Sequence, residues 1–374
     1  MTTTEEKFAW LRLARSENIG RSTFFRLIDI FNSAQKALEQ VGDFAAQGGL
    51  SRKIKILTNQ EAEREFLAIE KFGAEIVLFC EEKYPRLLRE IPDPAPILTI
   101  KGREEFLNSD SIAVVGPRNA SFNGLAFARK IAFELGKNSI ITTSGMARGI
   151  DSAVHISSLV SGTIAVIAGG IDNIYPKENE KLYFQILEQG LIISEQPFGA
   201  PPKPANFIQR NRIISGLSLG VVVVEAGLKS GSLTTARFAI EQGREVFAVP
   251  GSPLDHRCQG SNRLIKEGAK MVENIDDILE DFSSLRSRFK EVGILREPEA
   301  EAFIAPAIKM PSEDDIKKIR QEILSKLGAN AIAIEEIIEE LQVPSRLVKI
   351  ALVQLELADK IEINLGKVSL IHIF

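Results

Sequence analysis

The sequence predicts an α/β protein built on a doubly wound, mostly parallel sheet, with a small helical domain before it and a winged helix after it. Three observations carry this reading. Short apolar runs without alternation, such as Gly220-Val221-Val222-Val223-Val224, mark strands buried on both faces. These runs alternate with amphipathic helical patterns, the arrangement that gives parallel βαβ units. Residues 313–374 break the alternation and read as three helices followed by a hairpin.

In chain order, residues 8–47 are helical, broken at Asn18-Ile19-Gly20, with Ser22 placed to cap the helix that carries Phe24, Leu27, Ile28 and Phe31. A helix at 61–72 and strands at 76–79 and 97–100 follow. The prolines of Ile91-Pro92-Asp93-Pro94-Ala95-Pro96 make this an entry segment rather than the sheet centre. Strands are expected at 112–115, 140–143, 163–167, 191–194, 220–224 and 245–248. The helix after the first of these steps through Leu125, Ala128, Ala132 and Leu135 by threes and fours. Further helices are expected at 178–188 and 234–242. Periodicity fades between Arg286 and Pro311, which reads as a linker. Helices at 313–327, 334–341 and 345–358 and strands at 361–364 and 368–371 close the chain. The expected domains are residues 1–60, 61–288 and 313–374, with a linker at 289–312.

A chain of 374 residues with 44% hydrophobic content holds a full core and appended domains, since single cores rarely grow beyond about 250–300 residues. The net charge of −4 excludes a globally basic protein, so nucleic-acid binding has to come from a local patch. Cys80 and Cys258 are isolated, and the histidines are only His155, His256 and His372. Neither a zinc framework nor a disulfide scaffold is expected, and a reducing compartment is. No targeting pattern opens the chain and no apolar run approaches the roughly 18 residues of a membrane span, so the reading is cytosolic.

Local positive patches do exist. Residues 111–133 contain Arg118, Arg129 and Lys130 without an acid, and residues 197–224 contain Lys203, Arg210 and Arg212 without an acid. Turns at Gly116-Pro117-Arg118-Asn119-Ala120-Ser121, Ser144-Gly145-Met146-Ala147-Arg148-Gly149-Ile150-Asp151 and Gly169-Gly170 should face one crevice at the carboxyl edge of the sheet. The loop Lys229-Ser230-Gly231-Ser232 opens a helix there, placing backbone N–H groups and hydroxyls where an anion binds. Phe207, flanked by Lys203 and Arg210, combines a ring for base stacking with cations for phosphates. Phe207 also fits core packing, and Arg210 and Arg212 also fit pairing with Glu225 or Asp151 to hold a helix to the sheet. Asp151 reads as a helix cap and Tyr175-Pro176 as a turn that starts a helix. The dinucleotide fingerprint, the Walker A lysine motif, the GxSxG elbow and the HExxH pair are all missing from the sequence.

Taken together these motifs resemble the DprA/Smf family of DNA-processing proteins. The residues that carry the resemblance are Val114-Val115-Gly116-Pro117-Arg118, Ser144-Gly145-Met146-Ala147-Arg148-Gly149-Ile150-Asp151, Tyr175-Pro176-Lys177-Glu178-Asn179, Phe207 with Arg210-Asn211-Arg212-Ile213-Ile214, Ser230-Gly231-Ser232-Leu233, and Ala248-Val249-Pro250-Gly251. The resemblance implies an extended Rossmann-like core that binds single-stranded DNA without sequence preference. It further implies a homodimer that delivers the strand to the RecA recombinase in natural transformation, without cofactor, metal or catalytic turnover. By motif position the implied DNA-binding residues are Gly116, Arg118, Ser121, Ser144, Gly145, Arg148, Lys203, Phe207, Arg210, Asn211, Arg212, Ser230, Gly231 and Ser232. Asn262, Leu264, Ile265 and Met271 are the implied dimer face.

The chain departs from the family pattern at three places. Pro117 stands where a serine or threonine is usual, which removes a hydroxyl and a backbone donor from the first turn. Gly20-Arg21-Ser22 lacks the second glycine of a helix-hairpin-helix, which weakens the case for duplex binding by the helical, SAM-like N-terminal domain. Residues 313–374 hold eight Lys and Arg against eleven Asp and Glu, so the winged unit is expected to contact protein rather than nucleic acid. A competing enzyme reading, a nucleotide phosphoribohydrolase of the related LOG type, rests on Asp151 and Glu225 beside the glycine-lined crevice. The PGGxGTxxE signature of those hydrolases is missing. A third reading is a nucleotide-sensing Rossmann protein.

Overall fold

Apolar runs and helix caps set the order of elements in the computed structural model, which describes residues 3–294, 312–328, 330–364 and 366–371. The chain opens with α1 (Thr4–Ala14), α2 (Arg21–Phe31) and α3 (Ala34–Gln47). The α2 cap is Gly20 rather than Ser22, which lies inside the first turn. Next come α4 (Asn59–Lys71), β1 (Glu75–Leu78), the short α5 (Arg86–Arg89) and β2 (Ile97–Gly102). The alternating core then runs β3 (Ser111–Val115), α6 (Phe122–Lys137), β4 (Ile141–Ser144), α7 (Ile150–Ser158), β5 (Thr163–Ile167), α8 (Glu180–Gln189) and β6 (Leu191–Ser194). It continues through α9 (Pro204–Gly216), β7 (Gly220–Val223), α10 (Gly231–Glu241), β8 (Glu245–Ala248), α11 (Gln259–Lys266), β9 (Lys270–Met271) and α12 (Asp276–Ile294). The end of the chain holds α13 (Glu313–Lys326), β10 (Ile332–Ala333), α14 (Ile334–Leu341), α15 (Ser345–Leu357), β11 (Ile361–Asn364) and β12 (Lys367–Leu370).

The main sheet has nine strands in the order β1-β2-β6-β5-β4-β3-β7-β8-β9. From β6 to β9 every neighbouring pair is parallel, while β2 runs antiparallel to both β6 and β1. The proline-flanked strands β1 and β2 therefore end the sheet on one side, as their composition requires. Strands β3, β5 and β7 are buried at every position, and each fully buried Val or Ile contributes about 1.5–3 kcal/mol. From β3 the chain winds outward through β4, β5 and β6, then returns to place β7 on the other side of β3. This reversal opens a crevice at the carboxyl ends of β3 and β7.

The chain divides into two units, Leu67–Glu299 and the pair Met1–Phe66 with Ala300–Phe374. In the first, α12 continues to Ile294, beyond the point where the sequence pattern fades at Arg286. Arg286 and Arg288 are exposed while Leu285 and Phe289 pack into the sheet's core. Most of the expected linker, residues 295–311, lies outside the described residues. In the second unit, β12 pairs with both β11 and the two-residue β10, giving the three-stranded wing.

Candidate nucleic-acid interface

The crevice is a cleft of about 750 Å³ at the switch point between β3 and β7. Gly116, Pro117, Arg118 and Asn119 form one wall, Phe207, Arg210 and Asn211 of α9 another, and Lys229 to Ser232 at the start of α10 a third. The first wall needs a glycine behind it. Gly149 has φ +80°, and a Cβ there would sit 2.3 Å from the Pro117 carbonyl oxygen. The Arg118 turn rests directly on that backbone.

Arg118 is exposed, and its guanidinium carbon lies 5.2 Å from the centroid of the half-buried Phe207 ring. Tyr175, 45% exposed, sets its ring at 62° to Phe207 with centroids 5.3 Å apart. Phe207 is thus a rim residue between a cation and a second aromatic, not a core residue. Tyr175, read from sequence as a turn residue, belongs to this aromatic edge.

The two helix N-termini at the crevice differ. At α6 the Glu225 carboxylate accepts from the Ser121 backbone N–H at 3.0 Å and from the Ser121 hydroxyl. Ser121 in turn caps the helix by accepting from Gly124 N–H at 2.9 Å. A carboxylate from the chain already holds the position an anion would take. At α10 the cap is Ser230, Gly231 is exposed, and the first turn carries no acid. The exposed Lys229 sits beside it. This N-terminus is the one open to a phosphate.

Below the rim the cleft is structural. Arg210 is 7% exposed, and its Nη1 donates to the carbonyls of Gly145 and Val166. Its guanidinium lies close against Gly145, where a Cβ would come within 2.5 Å of Nη1. Burial lowers the Arg210 pKa to about 10, so it stays cationic at neutral pH, facing Asp151. Asp151 accepts from Ala147 N–H at 3.2 Å; burial pushes its carboxyl up, and Arg210 opposes the rise. The Ser144 hydroxyl donates to the Val114 carbonyl at 2.7 Å.

Of the residues expected to bind DNA, Gly116, Arg118, Phe207, Arg210, Asn211, Ser230, Gly231 and Ser232 line the cleft. The others do not. Arg212 is 3% exposed and is held by Asp93 at 3.1 Å and Glu195 at 2.6 Å, so it ties α9 to its surroundings rather than facing a ligand. Ser144 and Gly145 are buried beneath the floor, and Ser121 is engaged by Glu225. Arg148 is exposed but off the cleft, 3.7 Å from Glu178. Lys203 is exposed at the N-cap of α9, outside the cleft lining. Lys229, His256, Arg257 and Gln259 also line the cleft; Lys229 was read as part of the anion loop but not as a DNA-binding residue, and the other three were not expected. The signal for the last three was their place between β8 and the first residue of α11, at the carboxyl end of another parallel strand. Arg257 is paired there with Asp255 at 2.8 Å.

Two of the four expected dimer residues are engaged within the chain. Asn262 exchanges hydrogen bonds with both backbone groups of Gly251, at 2.8 and 3.0 Å, and Leu264 is 8% exposed in the core. Ile265 is partly buried against that core, and Met271 is 46% exposed. Among the described residues no group of three His, Cys, Asp or Glu side chains is arranged to hold a metal ion. No described helix is long and apolar enough to cross a membrane.

Three family profiles match in chain order. They are the DprA-like N-terminal HHH domain at residues 4–68, DNA recombination-mediator protein A at 75–283, and the DprA winged helix domain at 307–367. Protein Smf of Escherichia coli is 39% identical over 280 residues, covering 74% of this chain and 72% of that protein. DNA processing protein DprA of Streptococcus pneumoniae is 44% identical over 204 residues, covering 54% of this chain and 72% of that one. The X-ray structure of DprA from Streptococcus pneumoniae covers 75% of this chain and 99% of its own, with TM-score 0.62 and 33% identity. A Helicobacter pylori DprA structure, described for its single-stranded DNA binding mode, covers 58% and 96% with TM-score 0.51 and 29% identity. The chain belongs to the DprA/Smf family, whose core profile is that of the DNA recombination-mediator protein A.

Proposed function

We propose that this protein binds single-stranded DNA, without reading its sequence, along the rim of the switch-point cleft. The observation that carries the proposal is the Arg118, Phe207 and Tyr175 edge standing beside the open N-terminus of α10. A ring at the surface stacks with any base, a cation and free backbone N–H groups take the phosphates, and neither selects among bases. The Helicobacter pylori relative, described for its single-stranded DNA binding mode, supports the same ligand.

The protein acts in the cytoplasm as a homodimeric recombination mediator that passes the bound strand to RecA during DNA uptake, and it is not an enzyme. The two carboxylates a hydrolase would use are committed to structure, Glu225 to the start of α6 and Asp151 to the loop before α7. Titrating a labelled oligothymidine across salt concentrations tests the binding. The expected log-log slope is a few units, about 0.7 for each phosphate neutralised. A slope near zero, or release of free base from AMP, contradicts the proposal. Stimulation of RecA filament formation on the oligonucleotide tests the hand-over, and sedimentation tests the dimer.

A further inference from the structure

The winged unit carries the order of helices used by many duplex readers, in which one helix crosses the DNA backbone and the next enters the major groove. In this chain those positions fall to α14 and α15. Their surfaces are unsuited to that task. In α15, residues 350–355 are all buried, more than one full turn, so no face of its middle is left for a groove. What covers it is the N-terminal helical segment. Glu356 accepts from Arg26 Nη1 at 2.8 Å and from the Thr23 hydroxyl at 2.9 Å, both on α2. Gln354, fully buried, donates to Gln47 at the end of α3 at 2.7 Å and accepts from Arg320 of α13. Asn18, between α1 and α2, donates to the Leu357 carbonyl at 3.2 Å and to Asp359 at 2.8 Å. Gly48 sits so close that a Cβ would fall 1.8 Å from the Gln354 carbonyl oxygen.

Electrostatics points the same way. Glu335, Glu336, Glu339 and Glu340 are exposed on α14, where a duplex backbone would pass. Arg346 and Lys349 are exposed in the first half of α15, but Lys349 lies near the Asp29 carboxylate of α2.

We propose that α15 is a self-docking helix whose partner is the chain's own α2–α3 pair, so that the winged unit closes on the N-terminal helices instead of reading duplex DNA. The protein contact expected of this acidic unit is met within the chain. The proposal is independent of single-strand binding at the cleft.

Gly48 supplies the test. Its backbone is ordinary right-handed helix, φ −67° and ψ −12°, so Gly48→Leu strains nothing in α3 itself and wedges α15 away. Gly42→Leu, in open space on the same helix, is the control. Hydrogen exchange on the full chain reads the result. Gly48→Leu is expected to speed exchange in α2, α3 and α15 by about ten-fold or more, leaving β3 to β8 and oligothymidine affinity as in the wild type, while Gly42→Leu changes neither. A charge exchange gives a second reading if the wedge variant folds poorly. Arg26→Glu and Glu356→Arg are each expected to lose protection, and the double variant to regain it. Wild-type protection in Gly48→Leu, together with no recovery in the charge exchange, overturns the proposal. Two further outcomes overturn it. One is protection that rises with protein concentration, which shows docking onto a second copy. The other is a duplex that protects α15 while exposing α2 and α3, which shows a groove reader held in reserve.

Discussion

Replacing Arg212 by methionine separates structure from binding at the most misleading residue of the site. The side chain is 4% exposed and is held by Glu195, 11% exposed, and by Asp93, 35% exposed. Methionine keeps most of the stem packing and removes the charge, leaving Glu195 buried without this cation. Breaking a buried pair from one side costs about 3–5 kcal/mol. Asp93 is a third exposed and regains water, so the expected loss lies near the lower end, about 3 kcal/mol. For a domain of this size that corresponds to a melting temperature lower by about 6–12 °C. Adding Glu195→Gln should recover part of the loss, since the side chain that faced the lost guanidinium then carries no charge. Circular dichroism during thermal and urea unfolding measures the stability, and anisotropy of labelled oligothymidine at 20 °C measures binding by the folded protein. Affinity should stay within about two-fold of wild type, because the guanidinium does not reach the cleft. A melting temperature within about 2 °C of wild type combined with lost affinity refutes the reasoning and returns Arg212 to the DNA site.

Three other predictions follow from the same geometry. Arg118→Ala and Lys229→Ala, both exposed at the cleft, should each lower oligothymidine affinity and reduce the salt slope by about 0.7 with no loss of thermal stability; an unchanged slope removes that residue from the phosphate track. Gly145→Ala forces a Cβ to 2.5 Å from Arg210 Nη1, so it should destabilise by about 1–3 kcal/mol in urea unfolding, and a neutral effect contradicts the close packing of the guanidinium on this glycine. His155 is fully buried, and burial, with Arg210 as a second cause, holds its pKa at about 3, below the ordinary 6.5. Between those values the unfolded chain binds a proton that the folded chain does not, so this contribution is complete above pH 6.5 and is lost as pH falls towards 3. His155→Gln should flatten the pH dependence of urea stability in that window. Asp151, shifted upward, titrates in the opposite sense in both proteins, so parallel curves for variant and wild type contradict the assignment.

Much of the sheet could be read from the chain because strands buried on both faces leave unbroken apolar runs, as at residues 163–167 and 220–223. The prolines around Asp93 likewise announced an outer position for β1 and β2. The lining of the cleft was legible where its meaning is local. The serine-glycine loop opening α10 and the ring of Phe207 needed only their neighbours. Arg212 was misread because its partners, Asp93 and Glu195, come from two other segments and meet it only in the fold. Ser121 was misread for the same reason, since the carboxylate that fills the start of α6 arrives from beyond β7. Local acid-free composition is therefore a weak guide to local charge. The docking of α15 on α2 and α3 joins opposite ends of the chain, and no spacing or periodicity records it.

The most direct test of the central claim is a double-mutant cycle on Arg118 and Phe207, measured by oligothymidine binding at one fixed salt concentration. Stacking on a surface aromatic contributes about 1–3 kcal/mol per base, roughly 5- to 150-fold in affinity, so Phe207→Leu should weaken binding by about five-fold or more. Arg118→Ala should also weaken it, and the double variant should lose less than the product of the two, because the cation over the ring positions the stacking face. Wild-type affinity in either single variant, or strictly independent losses, would place the bound strand somewhere other than this rim.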